Sequence, residues 1–187
     1  RFDVVATARD DVALIGFTSG STGEPKGTMH FHRDLMIIAD GYAREVLSVT
    51  PEDVFVGSPP LAFTFGLGGL AIFPLRFGAA ATLLESATPP NMIEIIEKYR
   101  ATVCFTAPTA YRVMLQAMED GADLSSLRAA VSAGETLPAP VYDAWQKKTG
   151  TRKRPTCGEP TFAATVAALG PRRQGSSLAR PARVSLL

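Results

Sequence analysis

Short apolar runs alternate with amphipathic stretches through most of this 187-residue chain, and this alternation is what most constrains its fold. Five apolar runs predict buried strands, at residues 12–17, 54–56, 79–84, 102–106 and 129–132. Four stretches with apolar residues at helical spacing predict helices, at residues 33–49, 89–99, 108–118 and 138–148. Strands that alternate with helices predict an α/β fold, a doubly wound and mainly parallel sheet with flanking helices.

A loop rich in glycine and hydroxyl groups follows the first predicted strand, at the carboxyl end where α/β sheets bind ligands. Its predicted phosphate-binding residues are Thr18, Ser19, Gly20, Ser21, Thr22, Gly23 and Lys26. Glycine lets backbone N–H groups approach an anion, hydroxyls donate hydrogen bonds, and lysine adds positive charge. Because Lys26 stands between Pro25 and Gly27, the spacing is not that of a Walker P-loop. A solvated Ser/Gly linker is the alternative, but linkers need no Pro-Lys-Gly closure after a strand.

Two further motifs follow in the chain. Residues 57–69 contain Phe63, Thr64, Phe65 and Gly66. Two rings flank the small Thr64, and both rings could simply be core residues. Residues 132–138 contain Gly134, Glu135 and Thr136, and this turn suits an ordinary helix start, which does not exclude a further role.

These three motifs, in this order, resemble the phosphate loop and the next two motifs of the adenylate-forming (AMP-binding) acyl-CoA synthetase superfamily. Residues 58–68 are most similar to benzoate- and 2-aminobenzoate-CoA ligases, and lean toward the second. In this family the second motif forms a wall of the carboxylate pocket, so the resemblance implies that Phe63, Thr64, Phe65 and Gly66 bind the substrate. The small Thr64 between two rings would leave room for a flat aromatic acid. The resemblance implies part of the large N-terminal domain of a ligase. That enzyme would be a cytoplasmic acid–thiol ligase in the breakdown of aromatic compounds.

The resemblance also implies a reaction and its participants. An aromatic carboxylate and ATP would form an acyl-adenylate with release of pyrophosphate, and CoA would then displace AMP. Lys26 would be the catalytic residue that stabilises the departing pyrophosphate, with Mg²⁺ sharing the phosphate charge. Gly134, Glu135 and Thr136 would lie against the adenine and ribose. The expected partners are therefore the small aromatic acid, ATP and CoA, without nucleic acid or membrane.

His30 and His32 follow the loop closely, but no Cys, Asp or Glu cluster accompanies them at metal-ligand spacing, so no protein metal site is predicted. A structural role in packing the loop or starting the next helix is expected instead. Cys104 and Cys157 are expected to be reduced and structural. Residues 54–75 carry no charge, yet their glycines and prolines favour a buried strand, loop and helix over a membrane span.

The charge changes sign near residue 150. Residues 1–150 carry 12 Lys and Arg against 17 Asp and Glu, whereas residues 151–187 carry seven against one. We therefore predict a partial AMP-binding domain at residues 1–150 and an atypical basic tail at residues 151–187. Three interpretations of the tail stay open: a natural disordered tail, an ordinary helix and loop, or a shifted reading frame that replaces the family's next strand.

The resemblance covers about residues 8–150, the middle of a family member usually about three times as long. The family's Thr-Glu, ribose-binding aspartate and C-terminal catalytic lysine have no match. An internal fragment, inactive alone, is therefore expected. The alternatives are a non-catalytic nucleotide-binding remnant and an adenylating enzyme with a different acid or acceptor.

Overall fold

The computed structural model describes residues 3–18, 26–133, 135–149 and 185–186, with Thr18, Lys26, Ser185 and Leu186 described by their backbones. The strands are β1 (Val12–Thr18), β2 (Lys26–Phe31), β3 (Val54–Gly57), β4 (Ala80–Ala81), β5 (Val103–Thr106), β6 (Ala129–Ser132) and β7 (Ser185–Leu186). The helices are α1 (His32–Ile38), α2 (Thr64–Leu67), α3 (Phe73–Phe77), α4 (Pro89–Tyr99), α5 (Pro108–Glu119) and α6 (Ala139–Thr149). A π-helical segment, Ala39–Arg44, continues α1, and a second, Gly68–Ile72, joins α2 to α3.

The main sheet has the strand order β4-β3-β5-β6-β7. Its first four strands are parallel, and β7 is antiparallel to β6. The register sets Phe55 opposite Val103, and Phe105 opposite Val131. The predicted mainly parallel α/β sheet is thus confirmed.

Helices cover both faces of this sheet because side chains alternate along each strand. Phe55, Phe105 and Val131 face one side and pack with the α1 segment and with α2–α3. Val56, Cys104 and Ala130 face the other side and pack with α4, α5 and α6. Cys104 is a free, buried thiol, and burial raises its pKa to about 12, which suits an unreactive core position.

Two predicted strands differ from expectation. The run at residues 12–17 forms a strand, but it pairs antiparallel with β2 in a separate hairpin, and Ile15 and Phe17 are 54% and 76% exposed. The run at residues 79–84 contributes only Ala80–Ala81, both exposed at the sheet edge. The prediction that both strands are buried, which rested on their apolar content alone, was therefore wrong. No described element covers the exposed sides of β1 and β4.

The uncharged stretch at residues 54–75 folds as β3, a loop and the α2–α3 segment, as expected. Among the described residues, no helix has the length and apolar character needed to cross a membrane.

Phe105 is the centre of the core on the α2–α3 side. Its ring centroid lies 5.3 Å from that of Phe65 and 6.2 Å from that of Phe73. Gly69 packs directly on the ring, since a methyl group added there would lie 2.7 Å from Phe105 Cγ. This position therefore requires glycine if the helical segment is to approach the sheet so closely.

Asp53 ties together the amino ends of three parallel strands. Its carboxylate is 3% exposed and accepts hydrogen bonds from Arg128 Nε at 2.7 Å and Thr102 Oγ1 at 2.7 Å. The backbone N–H of Thr50 donates to it at 2.9 Å, and Arg128 also donates to the Leu47 carbonyl. Burial alone would raise the pKa of Asp53, but these donors outweigh burial and lower it below its ordinary value.

We expect Gly69→Ala to lower the free energy of unfolding by about 1–3 kcal/mol, because the methyl group overpacks the Phe105 contact. Gly41→Ala is the matched control, since an added methyl there meets nothing within 4 Å and the residue is helical. Urea unfolding followed by the fluorescence of the buried Trp145 measures both. Equal stability of the two variants would contradict the close packing.

We expect Asp53→Asn to lower the free energy of unfolding at pH 7 by about 2–3 kcal/mol, because charge-assisted hydrogen bonds are lost. The pKa of Asp53 is lowered in the folded state, so its stabilisation is complete above the unfolded pKa, about 4, and disappears as pH falls through the folded pKa. The difference in the free energy of unfolding between the two proteins, measured from pH 7 to pH 3, should therefore narrow as the pH falls. The exposed Asp143→Asn is the control, and a constant gap between Asp53→Asn and the parent would contradict the assignment.

Candidate functional site at the carboxyl edge of the sheet

Three hydroxyl side chains line up at the carboxyl ends of adjacent parallel strands. Ser58 follows β3, Thr106 ends β5, and Ser132 ends β6 opposite Thr106. The hydroxyls of Ser58 and Thr106 are 2.6 Å apart, and the Ser132 hydroxyl is buried without a partner among the described residues. Ligands of open α/β sheets bind at this edge, so this row of hydroxyls lies where a site is expected.

The sequence interpretation did not select these hydroxyls as site residues. The signal was present, because each lies at or just after the end of an apolar run that forms a parallel strand. Strand adjacency, which brings residues 58, 106 and 132 side by side, could not be read from the run lengths.

The motif at residues 57–69 begins at this edge, where β3 ends. Its backbone is fixed at the start, because Ser58 N–H donates to the Phe105 carbonyl at 3.1 Å. Phe63 is 57% exposed and Thr64 is exposed, so both are accessible to a ligand. Phe65 is 7% exposed and packs on Phe105, so the alternative of a core aromatic holds for this ring.

Gly66 is buried beneath the loop that precedes α2. A methyl group at this position would lie 2.5 Å from the Pro59 carbonyl oxygen and 2.7 Å from the Pro60 carbonyl carbon. Gly66 is therefore needed for α2 to pack closely against this loop. The side chains that a ligand could reach are those of Phe63 and Thr64.

The β1–β2 hairpin carries the predicted phosphate loop and adjoins this motif. Thr18 and Lys26 are the last paired residues of the hairpin, so the two ends of the loop lie side by side. The predicted residues Ser19, Gly20, Ser21, Thr22 and Gly23 lie outside the described part of the chain, as does Gly134. Their roles, and that of the Lys26 side chain, stay predictions.

The hairpin meets the second motif around a small apolar pocket of about 20 Å³. Leu14 and His30 line it from the hairpin, and Thr64 and Gly68 line it from the α2 segment. A methyl group on Gly16 would lie 3.8 Å from Thr64 Cγ2, which shows how closely the two elements approach. The hairpin that precedes and follows the predicted phosphate loop therefore lies next to the predicted acid site.

Glu135 and Thr136 lie between β6 and α6, and both are exposed. The turn begins at the carboxyl end of β6, next to the hydroxyl row, and α6 starts at Ala139. The structure thus brings this third motif to the same sheet edge as the second.

The two histidines near the hairpin occupy different positions. His30 is 3% exposed on β2, while His32 begins α1. Asp34 accepts a hydrogen bond from the Phe31 backbone N–H at 2.9 Å and thereby stabilises the helix start. Within the described residues, no three His, Cys, Asp or Glu side chains cluster in a way that could hold a metal ion.

The fold and this edge define a mainly parallel α/β domain, and comparisons with known proteins identify its class. The AMP-binding enzyme family model matches residues 2–171. The benzoate–CoA ligase of Thauera aromatica is 39% identical over 152 residues, which is 80% of this chain and 29% of that protein. The 4-hydroxybenzoate–CoA/benzoate–CoA ligase of Rhodopseudomonas palustris is 34% identical over 148 residues, 78% of this chain and 27% of that protein.

A solved structure of the same class is similar to this chain. The anthranilate CoA ligase AuaEII, in complex with anthranoyl-AMP, superposes with a TM-score of 0.73 at 37% identity, over 80% of this chain and 30% of that one. The chain belongs to the AMP-binding enzyme family. It spans less than a third of the length of these relatives.

We expect Phe65→Ala to lower the free energy of unfolding by about 3–5 kcal/mol, because it empties space beside Phe105. Phe63→Ala should change it by less than about 0.5 kcal/mol, because Phe63 is 57% exposed. Urea unfolding of both variants measures the contrast. Similar losses from both substitutions would show that Phe63 also belongs to the core and is not free to contact a ligand.

Proposed function

We propose that the protein containing this segment activates an aromatic carboxylate of the benzoate or 2-aminobenzoate type with ATP, and transfers the acyl group to CoA. The observation that carries this proposal is the accessible pair Phe63 and Thr64, with Thr64 also lining an apolar pocket between the hairpin, α1 and the α2 segment. Its support from relatives is the similarity to a benzoate–CoA ligase and to an anthranilate CoA ligase.

The proposed reaction has two displacements. A carboxylate oxygen of the acid attacks the α-phosphorus of ATP, and pyrophosphate leaves. The sulfur of CoA then attacks the acyl carbon, the thiol proton is lost, and AMP leaves. Both steps require the reacting groups to be held in line, which is what a site formed by several adjacent segments supplies.

The phosphate loop supplies charge and hydrogen-bond donors. Lys26 stabilises the departing pyrophosphate, and Thr18, Ser19, Ser21 and Thr22 donate hydrogen bonds to the phosphates. The pairing of Thr18 with Lys26 supports this assignment, since it places the two ends of the loop side by side. Mg²⁺, when bound through phosphate oxygens, would share the negative charge.

The acid site uses the exposed part of the second motif. Phe63 offers a flat ring for an aromatic acid, and the small Thr64 beside it leaves room for the acid's own ring. Glu135 and Thr136 follow β6 and would contact the nucleotide on the neighbouring part of the same edge. The acid and the α-phosphate thus meet across the ends of β3, β5 and β6.

A grafted ligase tests this function. We define it as the Thauera aromatica benzoate–CoA ligase in which the aligned 152-residue segment is replaced by this chain's residues. We expect ATP–pyrophosphate exchange with benzoate and 2-aminobenzoate, and little with medium-chain acids. Lys26→Ala should lower kcat about 100-fold or more, because charge stabilisation in the transition state is lost, while the exposed Lys98→Ala should leave it unchanged.

The chain alone should give no exchange, because the remaining parts of the relatives are not in it. Exchange by the chain alone would contradict this incompleteness. A folded grafted ligase that uses medium-chain acids and rejects both aromatic acids would contradict the proposed function. If the graft fails to fold, thermal stabilisation of the 187-residue chain by a benzoyl-adenylate analogue, and not by an acyl-chain analogue, decides the same question.

A further inference from the structure

The hydrogen bond between Ser58 and Thr106 leaves one hydroxyl hydrogen of the pair without an acceptor. The two oxygens are 2.6 Å apart, and from this distance alone either hydroxyl could be the donor. Each hydroxyl carries one hydrogen, so the pair uses one hydrogen between its members and keeps the other. Among the described residues, neither hydroxyl has a second hydrogen-bond partner. The unused hydrogen belongs to whichever hydroxyl accepts.

Burial assigns the unused hydrogen to Ser58. Thr106 is 0% exposed, whereas Ser58 is only partly buried. A fully buried hydroxyl hydrogen without an acceptor is unfavourable, while a partly exposed one can bind water or a ligand. Thr106 therefore donates to Ser58, and the Ser58 hydroxyl keeps its own hydrogen for a further acceptor.

The backbone around Ser58 is held in place as well. The Ser58 N–H donates to the Phe105 carbonyl at 3.1 Å, and Pro59 and Pro60 follow directly in the sequence. Proline fixes its own φ and restricts the residue before it, so the chain has little freedom here. The Ser58 donor is thus oriented before a ligand arrives, and a preorganised donor loses little entropy on binding.

We propose that Ser58 donates a hydrogen bond to an acceptor oxygen of a bound reactant, and that Thr106 is the positioning residue that directs this donor. Ser58 follows β3 at the carboxyl edge, beside the end of β5, where ligands of α/β sheets bind. The inference rests on the proposed function and adds two residues to it. Under that function, the acid and ATP supply acceptor oxygens in the first displacement, and CoA supplies amide oxygens in the second.

The two half-reactions of the grafted ligase distinguish these sources. Ser58→Ala should lower one kcat/KM value about tenfold, the effect of one hydrogen bond. The loss falls on ATP–pyrophosphate exchange if the oxygen belongs to the acid or to ATP. It falls on thioester formation at limiting CoA, with exchange unchanged, if the oxygen belongs to CoA.

Ser126→Ala is the matched control for the loss of a hydroxyl. The Ser126 hydroxyl is also partly buried and has one hydrogen bond, which it donates to the Ala101 carbonyl at 2.8 Å. This bond lies at the amino edge, before β5 and β6 begin. Both half-reactions should therefore be unchanged in Ser126→Ala.

The role of Thr106 is tested through its coupling to Ser58. Thr106→Val keeps the volume but removes the donor, so it should slow the same half-reaction about threefold or more. Thr106→Ser keeps the donor and should stay within about twofold of the parent. Adding Thr106→Val to Ser58→Ala should cause no further loss, because the donor that Thr106 directs is already gone. Losses that add in the double variant overturn the positioning role.

Unchanged kcat/KM values for the acid, ATP and CoA in a folded Ser58→Ala ligase overturn the inference. A parent graft without exchange on any aromatic acid is a different result, because it rejects the proposed function itself. If Ser58→Ala fails to fold, Ser58→Cys decides, because the reactant that contacts this residue should slow alkylation of the new thiol, located by peptide mass spectrometry. Alkylation that neither a benzoyl-adenylate analogue nor a CoA analogue without its thiol slows overturns the inference.

Discussion

The packing of Phe105 is the constraint on which the candidate site depends. Its ring contacts Phe65 and Phe73 on one helical segment, while Gly69 lies directly against it. Its carbonyl accepts the Ser58 N–H, which fixes where the second motif leaves the sheet. Because one residue holds both ends of this motif, the accessible side chains in its middle are positioned by the core and not by the loop itself.

The two edges of the parallel sheet carry different kinds of side chain. At the amino edge, Asp53, Thr102 and Arg128 tie β3, β5 and β6 together through a buried carboxylate. At the carboxyl edge the same three strands end in hydroxyls, which are small and can donate or accept hydrogen bonds. Ser58, Thr106 and Ser132 are uncharged, so the ends of these three strands offer hydrogen-bonding groups at the edge where ligands of α/β sheets bind.

Much of the fold could be predicted from the sequence, because periodicity and capping residues act locally. The helices that begin at Pro89 and Pro108 start at the predicted residues, since proline favours the first helical turn. The burial of β1 and β4 could not be predicted, because it depends on which elements cover them. Among the predicted ring residues, the pattern did not distinguish Phe63 from Phe65, since exposure is set by the remote Phe105.

Strand β1 of the hairpin connects the predicted acid site with the predicted phosphate loop. Gly16 approaches Thr64, and two residues later Thr18 pairs with Lys26 at the start of the loop. Strand β1 therefore packs against the predicted acid site and ends at the predicted phosphate loop. The proposed in-line attack requires both reacting groups to be held together, so their alignment would depend on this one strand.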